Sequence, residues 1–237
     1  MSRGAAHFLA RTAPFDALPE PLVGRLAAVA TMEEIAARGV VWTEGTPCDD
    51  LVVVRRGALK VATGADDGDR GVTLGLYGRG VVLGEDAVLR SERPGVHVDR
   101  ATAFEESAIV RLPVEKVRTA AMVSAPFALG LGHLAAKRAL RLERRLGLLL
   151  HRSAHMRLAA LLQALSDDFG VRDSRGVIVN LKLTHRELAA LIGVTRETVS
   201  VTLQDLRRRG IVAADGKRVV LLDEEAITRL ASGEEAW

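Results

Sequence analysis

At 237 residues the chain is long enough for two domains of ordinary size, each with its own core. Hydrophobic residues make up 48% and charged residues 27%, which excludes a disordered chain, and the longest apolar runs, such as LGLLL from Leu146, fall far short of the ~20 residues that span a bilayer. The formal net charge is +3, and a single cysteine, Cys48, excludes both an intramolecular disulfide and an iron–sulfur cluster, which needs about four thiolates.

The first residues, MSRGAAHFLARTAPF, lack the continuous apolar stretch of a secretory signal, so a cytoplasmic protein without a membrane partner is expected. The segment DALPEPLVGRLAAVATMEEIAA reads as one or two short helices with Leu22, Leu26 and Val29 on the apolar side. From Gly39 to Leu112 the period changes. Glycines recur, and between them lie the β-rich runs VVWTEG, LVVVRRG, ALKVATG, VTLGLYG and ATAFEESAIVRL. Short strands separated by glycine turns predict an antiparallel barrel or sandwich.

SAPF, Ser124 to Phe127, predicts a helix start, with Ser124 as N-cap and Pro126 tolerated in the first turn. The long helix that follows carries Leu131, Ala135, Ala139, Leu142, Leu146 and Leu149 at spacings of three and four, continuing to Ser153 and Met156, close to a heptad seam. An amphipathic helix lying on its own domain shares that pattern. Small alanines that permit close approach, and an arginine-rich opposite face, favour a homodimer seam. A second helix, AHMRLAALLQALSDDFG, should end near Gly170, followed by a loop VRDSRGV and a short strand VIVNLKL. Positive charge concentrates in this half: between Lys182 and Arg218 there are eight basic residues against four acids, which attracts an anionic partner.

The stretch LTHRELAALIGVTRETVSVTLQDLRRRG, from Leu183, is the most specific in the chain. Thr184 and Glu187 form T-x-x-E, a capping box that starts a helix. Leu188, Ala189, Leu191 and Ile192 give that helix an apolar face, and Gly193 suits a sharp helix-to-helix turn. Thr195 then caps a second helix with Arg196, Glu197, Thr198 and Ser200 in its first turns, and Val199, Leu203 and Leu206 on its buried side. A capped hairpin occurs in many cores, but the ordered set fits a helix-turn-helix whose second helix enters the major groove of double-stranded DNA. There an arginine donates two hydrogen bonds to guanine and a glutamate accepts from cytosine. IVAADGKRVVLLD continues as a hairpin around Asp215-Gly216, with Lys217 and Arg218 placed to touch phosphates as a wing.

At these residues the chain resembles the Crp/Fnr transcription regulators, whose recognition helix begins Ser/Thr-Arg-Glu-Thr-Val; here the series is Thr195-Arg196-Glu197-Thr198-Val199. LVVVRRGALKV and VVLGEDAVL are similar to the family's cyclic-nucleotide-binding β-roll. The resemblance implies an α+β fold: an antiparallel β-roll over 1–123, a long dimerisation helix over 124–152, and a winged helix-turn-helix over 153–237. It implies base readout by Arg196 and Glu197, with Ser200 and Val201 on the same helix, and phosphate contacts at Thr184, His185, Thr195 and Thr198. Val201 stands where cyclic-AMP receptors of the family carry a second arginine; it can pack on a thymine methyl but cannot donate to guanine. RNA polymerase is an implied partner, through a loop at Arg172 to Gly176.

Family members that bind cyclic AMP hold its phosphate and ribose with a Gly-Glu pair and neutralise the phosphate with a later Arg-Ser/Thr pair. Gly84-Glu85 matches the first pair. For the second, Arg93 is followed by Pro94, which lacks both N–H and hydroxyl, and alignment on DRATA puts Gly95-Val96 there instead. Where those receptors place Thr-Ser against adenine, this chain has Leu142-Glu143, although Arg138 falls near the same pocket. Cyclic-AMP-independent or altered effector control is expected, with a cyclic-AMP-activated regulator carrying a divergent phosphate site as the alternative.

Other functions find less support. Haem would need an axial ligand, and His97 and His133 are candidates that also read as ordinary histidines. A cupin-like metal enzyme needs several converging His and carboxylate ligands, whereas Gly39 to Leu112 holds one histidine, and neither G-x-S-x-G nor a P-loop occurs. No catalytic or metal residues are expected. A cyclic-nucleotide-binding subunit without DNA binding would lack the T-x-x-E, glycine, T-R-E-T-V series.

Overall fold

A computed structural model describes residues 2–64, 72–90, 95–151 and 153–234. The chain divides into two compact units, Met1–Arg141 and Leu142–Trp237. The first begins with helix α1 (Ser2–Leu9), a short 3-10 turn (Phe15–Ala17) and α2 (Glu20–Val29). Strands β1 (Thr31–Ile35), β2 (Val40–Trp42), β3 (Asp50–Arg56), β4 (Leu59–Thr63), β5 (Val72–Tyr77) and β6 (Val82–Leu83) follow. Then come α3 (Glu85–Leu89), β7 (Arg100–Ala103), β8 (Ser107–Pro113) and α4 (Val114–Val123), before α5 (Ala125–His151), which contributes residues to both units.

The strands form two antiparallel sheets, in the orders β1-β8-β3-β6 and β2-β7-β4-β5. LVVV in β3 is buried on both faces, which is why it reads as a continuous apolar run rather than an alternation. By the two-residue period of a strand, Val52 and Val54 join Leu59, Val61, Tyr77 and Ile109 in the core between the sheets, while Leu51 and Val53 point the other way. That second core is built with Leu9, Phe15, Leu26, Val117, Phe127 and Leu131 from the helices. Phe15 and Phe127 meet there with ring centres 5.3 Å apart.

The second unit holds α6 (Ala154–Phe169), β9 (Gly170–Asp173), β10 (Gly176–Val179), α7 (His185–Ile192), α8 (Arg196–Arg208), β11 (Val212–Asp215), β12 (Arg218–Leu221) and α9 (Glu224–Ser232). Its antiparallel sheet runs β11-β12-β10-β9. Ser153 caps α6 by accepting from Met156 N at 3.3 Å.

Several expectations are corrected. TMEEI, read as helix, is strand β1, paired along its length with β8, and Val29 is exposed rather than core. VRDSRG is not an irregular loop: Val171 to Asp173 pair with β10. Gly170 ends α6 in an extended conformation, and what excludes a side chain there is close approach to the Ser166 carbonyl and Val177, not a left-handed turn. The turn of the wing is Gly216-Lys217, one residue later than expected, since Asp215 pairs with Arg218. Ser153 and Met156 belong to α6 rather than to the seam helix.

Candidate nucleic-acid interface and ligand pocket

The capping box forms as its spacing predicts. Glu187 N donates to Thr184 Oγ1 at 3.2 Å, and Thr184 N donates to Glu187 Oε2 at 2.6 Å. Gly193 takes φ 65° and ψ 46°, a left-handed cap that any Cβ would strain. Its N–H and that of Val194 both reach the Ala189 carbonyl, closing α7. Thr195 opens α8 by accepting from Thr198 N at 3.2 Å, and their hydroxyls lie 3.0 Å apart.

Val199, Thr202, Leu203 and Leu206 turn inward, whereas Arg196 and Glu197 are exposed and Val201 is 65% exposed. Ser200 is half-buried and engaged: its hydroxyl donates to the Arg196 carbonyl at 2.9 Å and lies 2.7 Å from His185 Nδ1. With the hydroxyl proton on Arg196 O, Nδ1 must donate to Ser200, which leaves His185 Nε2 as the site of further protonation. Burial, then Arg207 and Arg196, hold the His185 pKa below the ordinary histidine value. Lys217 is exposed at the tip of the wing. Arg218 is half-buried in β12, with its Nε buried and unbonded.

Two residues absent from the sequence-based site hold this framework. Arg145 of α5 donates to the Leu191 carbonyl at 2.6 Å, and Arg157 of α6 to the Ile192 carbonyl at 2.9 Å. These are carbonyls at the end of α7 that no intrahelical N–H reaches, and cations favour that helix end. In the sequence both arginines register only as positive charge. Leu149, expected in a seam, is half-exposed and lies close to the turn: a Cβ on Gly193 would be 3.4 Å from its Cδ2. Leu131 is fully buried in its own unit and therefore cannot belong to an exposed seam. Ala139, Leu142 and Leu146 are exposed and Ala135 is half-exposed. Exposed Leu129, Leu140 and Leu150 on the same helix were not foreseen.

In the first unit, Gly84 adopts φ 88° as the N-cap of α3, and a Cβ there would press on the Asp50 carbonyl at 3.1 Å. The following Glu85 is 1% exposed. Arg138 Nη2 donates to Glu85 Oε2 at 2.8 Å and to the Val82 carbonyl at 3.0 Å, while its guanidinium lies 5.6 Å from the Tyr77 ring centre. Burial raises the Glu85 pKa, and Arg138 opposes that shift. Arg93 lies outside the described residues. Leu142 and Glu143 belong to the second unit and are exposed there. Gly84 and Glu85, which the resemblance aligns with a nucleotide-binding pair, form the turn into α3, whereas neither pair aligned with the family's phosphate-facing Arg-Ser/Thr, Arg93-Pro94 or Gly95-Val96, carries a hydroxyl, so the residues present fit cyclic AMP incompletely.

His97 stacks on Trp42 with ring centres 4.7 Å apart, and burial lowers its pKa; His133 is exposed. Burial pushes the Cys48 thiol up to about 11, which makes it an unreactive core residue.

Residues 156–230 match the model of the Crp-like helix-turn-helix domain, and residues 32–123 that of the cyclic nucleotide-binding domain. A CRP-like cAMP-activated global transcriptional regulator of Mycobacterium tuberculosis H37Rv is 27% identical over 94% of this chain and 98% of its own length. A global nitrogen regulator of Synechococcus elongatus is 27% identical over 84% and 88%. The structure of FixK2 from Bradyrhizobium japonicum shares the fold, with a TM-score of 0.75 at 24% identity over 85% of this chain and 97% of that one. No described helix is long and apolar enough to cross a membrane. The chain belongs to the Crp/Fnr family of transcription regulators, which act through a helix-turn-helix DNA-binding domain and are not enzymes.

Proposed function

We propose that the protein is a cytoplasmic homodimer that reads a palindromic promoter site, with α8 in the major groove of each half-site. The observation that carries this reading is the division of α8: Val199, Leu203 and Leu206 are buried, while Arg196, Glu197 and Val201 stand free beside a capped N-terminus. Arg196 donates to guanine and Glu197 accepts from cytosine. Val201 faces a thymine methyl, and Ser200 reaches bases only by giving up its bond within the protein. Thr184, His185, Thr195, Thr198 and Lys217 approach phosphates, with Arg218 in a lesser role.

Residues 1–123 serve as sensor, 124–152 as dimerisation helix and 153–237 as DNA-binding domain. Leu140, Leu142, Leu146 and Leu150, exposed in the single chain, meet their counterparts in the second copy together with Ala135 and Ala139. The hairpin at Arg172 to Gly176 faces RNA polymerase.

Effector control is independent of cyclic AMP or altered from it. The Glu85 carboxylate is already engaged by Arg138, and the phosphate-facing Arg-Ser/Thr pair is incomplete. A buried phosphate without its cation and donors is costly. The alternative, cyclic-AMP activation with a divergent phosphate site, draws on the formed Gly84-Glu85 turn and on the relative described as cAMP-activated. Calorimetric titration with cyclic AMP, together with duplex binding in its presence and absence, separates the two. Tight, salt-sensitive binding without nucleotide, and no heat on titration, is expected. Heat, with DNA affinity that depends on cyclic AMP, would establish the alternative.

A further inference from the structure

A cavity in the first unit, of about 760 Å³, is lined by none of Gly84, Glu85, Tyr77 and Arg138. It lies between α1 with its following turn and the ends of β1, β3 and β8. Phe8, Arg11, Glu34, Arg55, Arg56 and Arg79 set its chemistry. Two tight turns fix three of these arginines. Gly57, at φ 78°, follows Arg55-Arg56 and packs so closely on Glu106 and Ser107 that no side chain fits. Gly80, at φ 83°, follows Arg79 and donates to the Val54 carbonyl at 2.7 Å, tying that turn to the end of β3.

Charge is unbalanced here. Arg56 pairs with Glu34 at 2.8 Å and Glu106 at 3.0 Å. Arg11, Arg55 and Arg79 have no carboxylate partner among the described residues. Four guanidiniums thus line the cavity against one carboxylate. Guanidinium forks match phosphate oxygens in pairs, the volume suits a small organic ligand, and Phe8 supplies an aromatic surface beside the arginines.

We propose that this cavity is a ligand site, separate from the residues around Glu85, for an organic polyphosphate of nucleotide size. Arg11, Arg55 and Arg79 hold the phosphate groups, Arg56 is kept in place by its two glutamates, and Phe8 packs on the organic part.

The test is calorimetric titration of the full-length protein with ATP, inorganic tripolyphosphate and poly-glutamate. It is applied also to the pair Arg55→Ala/Arg79→Ala, to Arg55→Lys/Arg79→Lys and to the pair Arg196→Ala/Lys217→Ala. The last pair reports polyanion binding at the candidate DNA surface. Arg55 and Arg79 are exposed, so their replacement spares the fold, which circular dichroism verifies. The expected result is ATP binding stronger than tripolyphosphate, weakened by about tenfold or more in the alanine pair and by less in the lysine pair, and unchanged in Arg196→Ala/Lys217→Ala. Binding unaffected by Arg55→Ala/Arg79→Ala, binding lost with Arg196→Ala/Lys217→Ala, tripolyphosphate equal to ATP, or preference for poly-glutamate would each overturn the proposal.

Discussion

If His185 meets a DNA phosphate as proposed, it couples DNA binding to proton concentration. Its Nδ1 is occupied by Ser200, and both burial and the nearby Arg207 and Arg196 disfavour a second proton in the free protein. In the proposed complex a DNA phosphate beside Nε2 would act in the opposite direction and raise the pKa of the bound state. Binding then takes up a proton, so affinity rises as the pH falls through the bound-state pKa and levels off below the free-state value, which lies under the ordinary ~6.5. Anisotropy at constant ionic strength between about pH 5.5 and 8 checks this. His185→Gln should flatten the dependence, and a wild-type slope equal to that of the variant would contradict the link.

At the level of elements, the C-terminal end of α7 is held by arginines reaching in from α5 and α6. Replacing both Arg145 and Arg157 by methionine keeps much of the apolar stem but leaves the Leu191 and Ile192 carbonyls without their cationic donors. The expected cost is about 1–3 kcal/mol of stability, read from thermal or urea melting, with affinity falling alike for all duplexes because no base contact is removed. A selective loss on one base position would show that these arginines do more than brace the turn. Such bracing was not legible beforehand, because it joins residues 46 and 35 apart through main-chain oxygens. The capping box, the glycine turn and the inward face of α8 were legible, since each depends on residues within one or two helical turns. TMEEI reads as helix yet forms strand β1, because its extended form comes from pairing with the distant β8. The Gly84-Glu85 turn could be recognised from the motif, but not that Arg138 would engage the carboxylate.

For the whole molecule, α5 contributes residues to both units and leaves Leu140, Leu142, Leu146 and Leu150 exposed, an apolar face that suits a partner. In the proposed homodimer a second copy covers that face, and two recognition helices would read a symmetric site with half-sites about one helical turn or a multiple of it apart. Leu146→Glu should shift sedimentation from dimer to monomer and abolish tight binding to a two-half-site duplex, because like charges would meet at the seam. A variant that stays dimeric would place the interface elsewhere on α5. The heptad spacing made such a helix readable, but not which of its leucines are spent on the chain's own core: Leu131 was indistinguishable from Leu146 until the first unit was assembled around it.

The most direct measurement compares Arg196→Ala and Lys217→Ala on a palindromic duplex and on random DNA across a salt series. Loss of the arginine should cost about 1–3 kcal/mol on the palindrome, relax one base position in each half-site and barely alter binding to random DNA, whereas loss of the lysine should weaken both and reduce the salt slope. Equal losses on both duplexes for Arg196→Ala would contradict base reading by α8.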